Sequence, residues 1–331
     1  MGLILVTGAG GFLGGHLIRR LLERGFAVRA VDCKPFENWT FHSSDVENLV
    51  HDLSEKDACY RVMKGVEAVY NFAADMGGMG FIENNKAACM LSVLINTHLL
   101  MAARDSGTAR FLFASSACIY PNYRQADPKV SGLRESEAYP AMPEDGYGWE
   151  KLFGERMCRH FREDFGLQTR IARYHNIYGP LGTWDGGREK APAAIARKVA
   201  IAAITGHHEI EIWGDGQQVR SFTYIDDCLR GTELLMRSDF AEPLNIGSDE
   251  MVSIDQLVDV VEAIAGIKLV RRYNLDAPKG VRGRNSDNTL VSQVLGWVPT
   301  TPLRSGMEKT YAWVYEQVKE RAERLAIDAA A

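Results

Sequence analysis

The sequence predicts an α/β fold, with a doubly wound parallel sheet and a second, smaller domain. Short apolar runs alternate with segments of helical periodicity through the first half of the chain, as in successive βαβ units. A glycine-rich turn directly follows the first apolar run. The chain has 331 residues, of which 46% are hydrophobic and 24% charged. This is the balance of a globular protein long enough for two domains.

The elements follow one another in a regular order. Strands are predicted at 3–7, 27–31, 48–53, 67–72, 110–115 and 169–174. Helices are predicted after the first strand, from about 82 to 104 and from about 147 to 165. Later elements are shorter and mixed: a helix at 191–204, strands near 209–213 and 221–225, and a helix at 254–265.

Glycine and proline cluster at 179–182 and at 186–187, which indicates an exit from the first domain. We therefore expect residues 1–178 plus about 221–247 to form a Rossmann-type nucleotide-binding domain. Residues of about 179–220 and 248–331 would form a smaller mixed α/β domain that binds the substrate.

Composition excludes several classes of protein. Lys+Arg number 38 and Asp+Glu 43, a net charge of −5, so no bulk attraction to nucleic acid or to an anionic membrane is expected. We see no apolar run of membrane-spanning length and no signal peptide ahead of the first strand. The six cysteines include no CxxC pair, so we expect reduced thiols in a cytoplasmic protein.

The first candidate site is the turn between the first strand and the first helix. Gly8, Gly11 and Gly14 allow a tight turn, close approach of a pyrophosphate and close helix–strand packing. Phe12 and Leu13 lie in the same turn, where the helix N-terminus favours negative charge. A glycine turn without a ligand is the alternative, and the position between strand and helix argues against it.

The acidic residues that follow the glycine turn indicate which dinucleotide binds there. Asp32 ends the second strand, where its carboxylate can accept hydrogen bonds from ribose hydroxyls and would repel a 2′-phosphate. We therefore predict NAD rather than NADP, although Lys34 weakens the argument. Asp52 follows the third strand and could bind the adenine edge, or it could cap the next helix.

The second pattern consists of Ser116, Tyr147 and Lys151. Tyr147 and Lys151 are four residues apart and so share one helix face. A free tyrosine titrates near about 10, and a neighbouring ammonium stabilises the phenolate, which makes proton transfer feasible. Ser116 ends a strand and could hold a substrate hydroxyl or carbonyl. Alone, such a tyrosine–lysine pair usually marks a solvated helix face.

The glycine turn, the serine and the tyrosine–lysine pair in this order resemble the extended short-chain dehydrogenase/reductase superfamily, over nearly the whole chain. Extended members act on nucleotide sugars. Dehydratases of this group carry an acidic residue near the serine, whereas this chain has Cys118 there. A packed core thiol is the alternative interpretation of Cys118. Because Cys118 follows the end of a strand, its side chain would instead face the site.

Longer stretches resemble the GDP-mannose 3,5-epimerase family, and these matches are far more specific than the glycine spacing. They lie at 73–82, 186–194, 213–216, 245–253 and 280–288. The resemblance implies epimerisation of GDP-mannose at C3 and C5 to GDP-L-galactose, with GDP-L-gulose as the product of inversion at C5 alone. It also implies transient oxidation at C4 by bound NAD and a homodimer.

The same resemblance assigns roles to residues. Cys118 and Lys190 occupy the positions of the family's acid/base pair, Tyr147 and Lys151 act beside NAD, and Ala73 contacts the cofactor. Substrate contacts are implied for Gly77, Ser116, Cys118, Asn176, Glu189, Lys190, Ala191, Lys198, Gln218, Arg220 and Arg284. No metal site is expected, because His207 and His208 lack partners at ligand spacing.

Alternatives remain open at this stage. Lys190 could be a solvated lysine at a helix start. Arg220 and Arg284 could be surface charges rather than a clamp on the diphosphate. The chain could be another NAD-dependent nucleotide-sugar epimerase, acting at C4 or C5 only. It could also be an NAD-sensing binding protein, although such proteins usually lose the tyrosine or the lysine.

Overall fold

The structure is a computed structural model and describes residues 2–330, with side chains described to residue 324. Its strands are β1 (Leu3–Thr7), β2 (Val28–Asp32), β3 (Glu47–Val50), β4 (Val66–Asn71), β5 (Arg110–Ser116), β6 (Gln168–Tyr174), β7 (Ile177–Tyr178), β8 (Glu209–Trp213), β9 (Val219–Ser221), β10 (Thr223–Tyr224), β11 (Pro243–Ile246), β12 (Met251–Ser253), β13 (Val270–Asn274) and β14 (Gly283–Arg284). Its α-helices are α1 (Phe12–Glu23), α2 (Lys56–Val62), α3 (Met79–Asn84), α4 (Lys86–Asp105), α5 (Tyr147–Phe165), α6 (Ala191–Thr205), α7 (Ile225–Arg237), α8 (Ile254–Ala265), α9 (Thr289–Leu295) and α10 (Leu303–Ala330).

Seven strands form one parallel sheet in the order β11-β6-β5-β4-β1-β2-β3. Side chains of β1 alternate between two cores: Val6 packs with α1 and α7, and Leu5 packs with α2, α4 and α5. Helices therefore cover both faces, which confirms the predicted Rossmann-type fold. The strand order reverses between β1 and β4, so the ligand crevice of such a sheet lies at their carboxyl ends.

Smaller sheets lie beyond the main one. β12, β9 and β14 form a three-stranded sheet, β8 pairs with β13, and β7 pairs with β10. The strand β11 pairs with β6 at the edge of the large sheet, although it comes late in the sequence. The exact division of the chain into two domains remains a prediction.

Two predicted elements need correction. The helix expected at 82–104 is two helices, α3 and α4, because Asn85 leaves the helical region (φ −132°, ψ 42°) and its side chain bonds back to the carbonyl of Phe81 at 2.8 Å. The strand expected at 221–225 is also divided. Ser221 pairs antiparallel with β12 and Thr223 pairs with β7, so the chain passes from one sheet to another at this point. The helices α5 and α8 have the predicted bounds.

The helix α4 is apolar on its outer face as well as on its inner face. Among the described residues it is the one helix whose length and apolar composition alone would suit a membrane span, so the expectation of no such segment is wrong. Its inner residues, Leu99 and Leu100 among them, are fully buried against the sheet. Its outer face leaves Met90, Leu91 and Leu94 exposed.

Candidate active site

The glycine turn has little room for side chains. Gly8 has φ +65°, and a Cβ there would lie 2.7 Å from the carbonyl carbon of Phe72. At Gly14 a Cβ would lie 2.3 Å from the oxygen of Gly8, whereas at Gly11 the nearest atom is 3.2 Å away. Two of the three glycines are therefore required for β1, β4 and α1 to meet this closely. Phe12 begins α1, so the helix N-terminus points at the turn.

The predicted cofactor carboxylate lies beside this turn. Asp32 accepts hydrogen bonds from the amides of Gly10 and Lys34, both at 3.0 Å. Leu13 packs partly buried against the core below the turn. The amide of Ala73, two residues after the end of β4, donates a hydrogen bond to the Asn71 side chain at 3.3 Å. These residues share the carboxyl ends of β1, β2 and β4 and fit a dinucleotide such as NAD.

Asp52 is placed differently. It is exposed beyond β3, and its carboxylate accepts a hydrogen bond from the amide of Ser54 at 2.9 Å. This turn contact precedes α2, whose N-cap residue is Glu55. A contact of Asp52 with adenine remains a prediction.

Tyr147 and Lys151 lie on one face of α5, as predicted. Lys151 Nζ is 5.5 Å from the centroid of the Tyr147 ring and 5.0 Å from that of Phe113. Burial raises the pKa of Tyr147 well above its usual value, and hydrogen bonding from Ser116 opposes that shift. For Tyr147 to act as a base, a nearby positive charge such as the Lys151 ammonium must therefore stabilise its phenolate.

Lys151 has a second charged neighbour that the sequence did not single out. Glu150 is buried, with Oε2 3.3 Å from Lys151 Nζ, and neither of its oxygens has a hydrogen-bond partner among the described residues. Burial raises the pKa of Glu150, and the ammonium of Lys151 opposes this.

Cys118 lies in the short helical turn Ala117–Ile119 after β5 and is 8% exposed. The guanidinium of Arg284 donates a hydrogen bond from Nη1 to its sulfur at 3.2 Å. Burial raises the pKa of the thiol, and the charge of Arg284 opposes this rise. The thiol thus has a direct cationic partner, unlike an inert core cysteine.

Arg284 was expected either as a surface charge or as a clamp on the diphosphate. The surface interpretation is wrong, since Arg284 is 4% exposed and reaches the thiol from β14. A role in holding the diphosphate remains a prediction for this residue.

Lys190 directly precedes α6, a helix that begins with a proline in its first turn. It is partly buried. Burial lowers the pKa of its ammonium, while the Cys118 thiol opposes the shift and the Arg284 guanidinium adds to it. The charges of Cys118 and Arg284 thus both act on the pKa of Lys190, and Cys118 packs in one cluster with Tyr147.

Other predicted contacts surround this centre. Asn176 adopts φ 42° and donates to the carbonyl of Ser221 at 3.0 Å. Gln218 donates from Nε2 to the carbonyl of Trp213, and its buried Oε1 has no partner in the part of the chain that the structure describes. Arg220 donates to the carbonyl of Val281 at 2.5 Å. Burial, with a smaller effect of Arg284, lowers the pKa of Arg220 to about 9.

Two residues predicted to contact the substrate, Glu189 and Lys198, already form hydrogen bonds within the protein. Glu189 accepts hydrogen bonds from the Gly187 amide and from Arg197, both at 2.7 Å. Lys198 donates to the carbonyl of Glu211 at 2.5 Å, and burial lowers its pKa. Their contacts with substrate remain predictions, as do those of Gly77 and of Ala191, the first residue of α6.

Besides Glu150, two residues near Cys118 are not predicted from the sequence. Gln125 accepts a hydrogen bond from Arg284 Nε at 2.6 Å. Glu144 has its carboxylate 3.5 Å from Arg284 Nη2. The position of Glu144, three residues before Tyr147, was the one local signal that could have suggested it.

The fold and this site together define a class of enzyme. A profile of the NAD dependent epimerase/dehydratase family matches residues 4–247, and the chain belongs to that family.

Similar proteins have more specific names. The chain is 49% identical over 326 residues to GDP-mannose 3,5-epimerase 1 of Oryza sativa subsp. japonica. The aligned region covers 98% of this chain and 85% of that protein. It is 48% identical over 322 residues to GDP-mannose 3,5-epimerase of Arabidopsis thaliana, covering 97% and 84%.

Solved structures share the whole fold. The UDP-glucose 4-epimerase of Thermotoga maritima, solved with UDP-glucose, has a TM-score of 0.85 and 25% identity, covering 96% of this chain and 99% of that one. The UDP-glucuronic acid 4-epimerase of Bacillus cereus, in complex with UDP-glucuronic acid and NAD, has a TM-score of 0.82 and 26% identity, covering 95% and 99%.

Proposed function

We propose that this protein inverts C3 and C5 of GDP-mannose, with NAD as a cofactor that is recycled within each turnover. The observation that carries the proposal is the hydrogen bond from the Arg284 guanidinium to the Cys118 thiol, which packs in one cluster with Tyr147. An enzyme acting at C4 alone needs the tyrosine but has no use for a thiol–ammonium pair. The relatives named GDP-mannose 3,5-epimerase support the same substrate.

The residues at the carboxyl ends of β1, β2 and β4 would hold NAD. Gly8 and Gly14 give the pyrophosphate access to the start of α1, and Asp32 would accept hydrogen bonds from the ribose. Bound NAD supplies the reversible oxidation of C4.

Tyr147 takes the proton of the C4 hydroxyl and later returns it. Its phenolate is disfavoured by burial, so the ammonium of Lys151, one helical turn away, must offset that cost. Ser116 can hold the C4 oxygen during the exchange, since its side chain lies at the end of β5.

A ketone at C4 acidifies the hydrogens at C3 and C5. Cys118 enters the site from the end of β5 and Lys190 from the start of α6, so the two groups come from different elements. One removes a proton while the other supplies one from the opposite face of the ring, which inverts the carbon. Burial lowers the pKa of Lys190, which favours proton exchange near neutral pH.

We further propose that the protein is a cytoplasmic homodimer, in which α4 and α5 of one copy contact the same helices of the other. Met90, Leu91 and Leu94 on α4 and Trp149 and Phe153 on α5 are exposed apolar side chains on two packed helices. Burial of such a patch against its own copy would form an isologous interface. The same burial would account for the apolar composition of α4.

The deciding experiment is turnover of GDP-mannose in D₂O, with the products identified by NMR. The proposal expects deuterium at C3 and C5 and none at C4, because the protons at C3 and C5 pass through Cys118 and Lys190, whose own protons are replaced by deuterium in D₂O, whereas the C4 hydrogen moves as hydride. A product inverted at C4 without deuterium would support a 4-epimerase instead. Retention of NAD with no new isomer would favour an NAD-binding protein.

A further inference from the structure

Glu144 is a carboxylate in the active centre to which none of the steps above gives a role. Its amide donates to the carbonyl of Cys118 at 3.1 Å, which fixes the backbone of one residue against the other. Its side chain is 13% exposed. Both carboxylate oxygens are buried and make no hydrogen bond to the described residues.

The carboxylate faces the same guanidinium that touches the thiol. Arg284 donates from Nη1 to Cys118 Sγ at 3.2 Å and from Nε to Gln125 Oε1 at 2.6 Å. Among the described residues its Nη2 has no hydrogen-bond partner, and it lies 3.5 Å from Glu144 Oε2. The guanidinium is thus held between a thiol and a carboxylate, with Gln125 fixing its third edge.

Other charged and titratable groups face this cluster from the surrounding elements. Tyr147, at the start of α5, packs in one cluster with Cys118. Burial lowers the pKa of Lys190, which directly precedes α6, and the thiol opposes this shift. Burial and the charge of Arg284 lower the pKa of Arg220, on β9, and Glu144 opposes this shift. Burial and the charge of Glu144 raise the pKa of Glu83, on α3. Of these groups, Glu144 is the carboxylate within 4 Å of the guanidinium that holds the thiol.

We propose that Glu144 is a positioning residue that offsets the charge of Arg284, so that Cys118 can both donate and accept a proton. The use of this balance in catalysis rests on the proposed function. The effect of Glu144 on the thiol does not depend on any substrate.

The argument follows from electrostatics. A guanidinium hydrogen-bonded to sulfur stabilises the thiolate, and with no counter-charge it would favour a group that is a good base and a poor acid. Inversion in both directions requires the protonated and the deprotonated thiol in turn. A carboxylate at the far edge of the guanidinium reduces its positive field at the sulfur and keeps both forms available.

The test measures the thiol directly. Wild type and Glu144→Gln, each purified with its cofactor, are alkylated with iodoacetamide across a pH range, and modification of Cys118 is followed by peptide mass spectrometry. Peptide resolution separates Cys118 from the exposed Cys33. Since the glutamine keeps the shape and removes the charge, the midpoint pH for Cys118 should fall by about one unit. Below the midpoint, Cys118 of the variant should therefore be alkylated about tenfold faster than Cys118 of wild type.

Two further variants act as controls. Glu144→Asp retains the charge and should keep the midpoint near that of wild type. Glu83→Gln removes a carboxylate whose pKa is raised by burial and by Glu144 but which forms no ion pair with Arg284 among the described residues, and it should cause a much smaller shift. Melting temperature and NAD content confirm that each variant is folded.

An unchanged midpoint in folded Glu144→Gln would overturn this inference, as would equal shifts in Glu144→Gln and Glu83→Gln. If the midpoint falls as expected while wild type leaves GDP-mannose unchanged, the electrostatic role stands and the proposed function fails. If wild type epimerises GDP-mannose and the midpoint does not move, the inference fails alone.

Discussion

The amide of Gly78 donates a hydrogen bond to the carbonyl of Arg188 at 2.9 Å, which joins two segments far apart in the sequence. Arg188 adds to this contact, since its guanidinium lies 3.7 Å from the centroid of the Phe81 ring and pairs with Asp75 at 2.5 Å. Lys190 comes two residues after Arg188. The segment at 73–82 therefore helps to set the position of the proposed acid/base lysine.

Gly78→Ala should separate these segments. A Cβ at Gly78 would lie 2.3 Å from the carbonyl oxygen of Glu189, so that the backbone next to Lys190 must move. Because a displacement of about 1 Å can cost about 100-fold in rate, we expect a loss of kcat of that order with NAD content retained. Gly182→Ala is the matched control, because its nearest atom is 3.3 Å away. Full activity in Gly78→Ala would contradict the prediction.

Elements defined by local pattern could be predicted from the sequence. The glycine turn and the face shared by Tyr147 and Lys151 follow from spacing alone, and the structure has both. The contact of Arg284 with Cys118 could not be predicted, because β14 and the end of β5 are brought together by tertiary packing alone. The break at Asn85 was missed because the apolar periodicity continues across it.

Cys118→Ser and Lys190→Ala test the acid/base pair. Serine keeps the size of the side chain but is a far weaker acid and base at neutral pH, so epimerisation should fall by at least about 100-fold. Lys190→Ala should have a similar effect. Binding of NAD and GDP-mannose, measured by calorimetry, should change little in Cys118→Ser. Full turnover by either variant would exclude the two-group mechanism.

Asp32→Ala tests the cofactor site. The carboxylate lies at the end of β2 and accepts hydrogen bonds from the amides of Gly10 and Lys34, so its loss removes a support of the glycine turn together with the proposed ribose contact. NAD affinity should fall by about 1–3 kcal/mol, the cost of a lost hydrogen bond to a charged group. Asp32→Asn, which keeps part of the hydrogen bonding, should lose less. Equal affinity of wild type and Asp32→Ala for NAD would show that the ribose lies elsewhere.

Leu91→Glu tests the proposed dimer. Leu91 is 61% exposed on α4, and a charge there would be buried in an interface formed by α4 and α5. Sedimentation at micromolar concentration should show a dimer for wild type and a monomer for the variant. Val270→Glu is the control, because Val270 is 55% exposed on β13, away from these helices. A monomeric wild type would refute the dimer.

His175 gives the protein a predictable loss of stability in acid. Its ring is fully buried, with Nε2 3.0 Å from the Asn245 side chain and Nδ1 without a partner among the described residues. Burial lowers its pKa to about 3. The unfolded chain binds this proton near pH 6.5 and the folded chain does not, so protons favour the unfolded state below that pH. The free energy of unfolding should therefore fall as pH drops from about 6.5 towards about 3.

Urea unfolding at several pH values between about 5 and 7 measures this effect, in a range where carboxylates contribute little. Below pH 6.5 the histidine contributes a slope that approaches about 1.4 kcal/mol per pH unit. His175→Gln should be less stable than wild type at pH 7, because the buried ring packs against its surroundings, but its stability should depend less on pH. His207→Gln, at an exposed position, should keep the slope of wild type. If His175→Gln and wild type lose stability equally between pH 7 and pH 5, the buried histidine is not the cause of the loss.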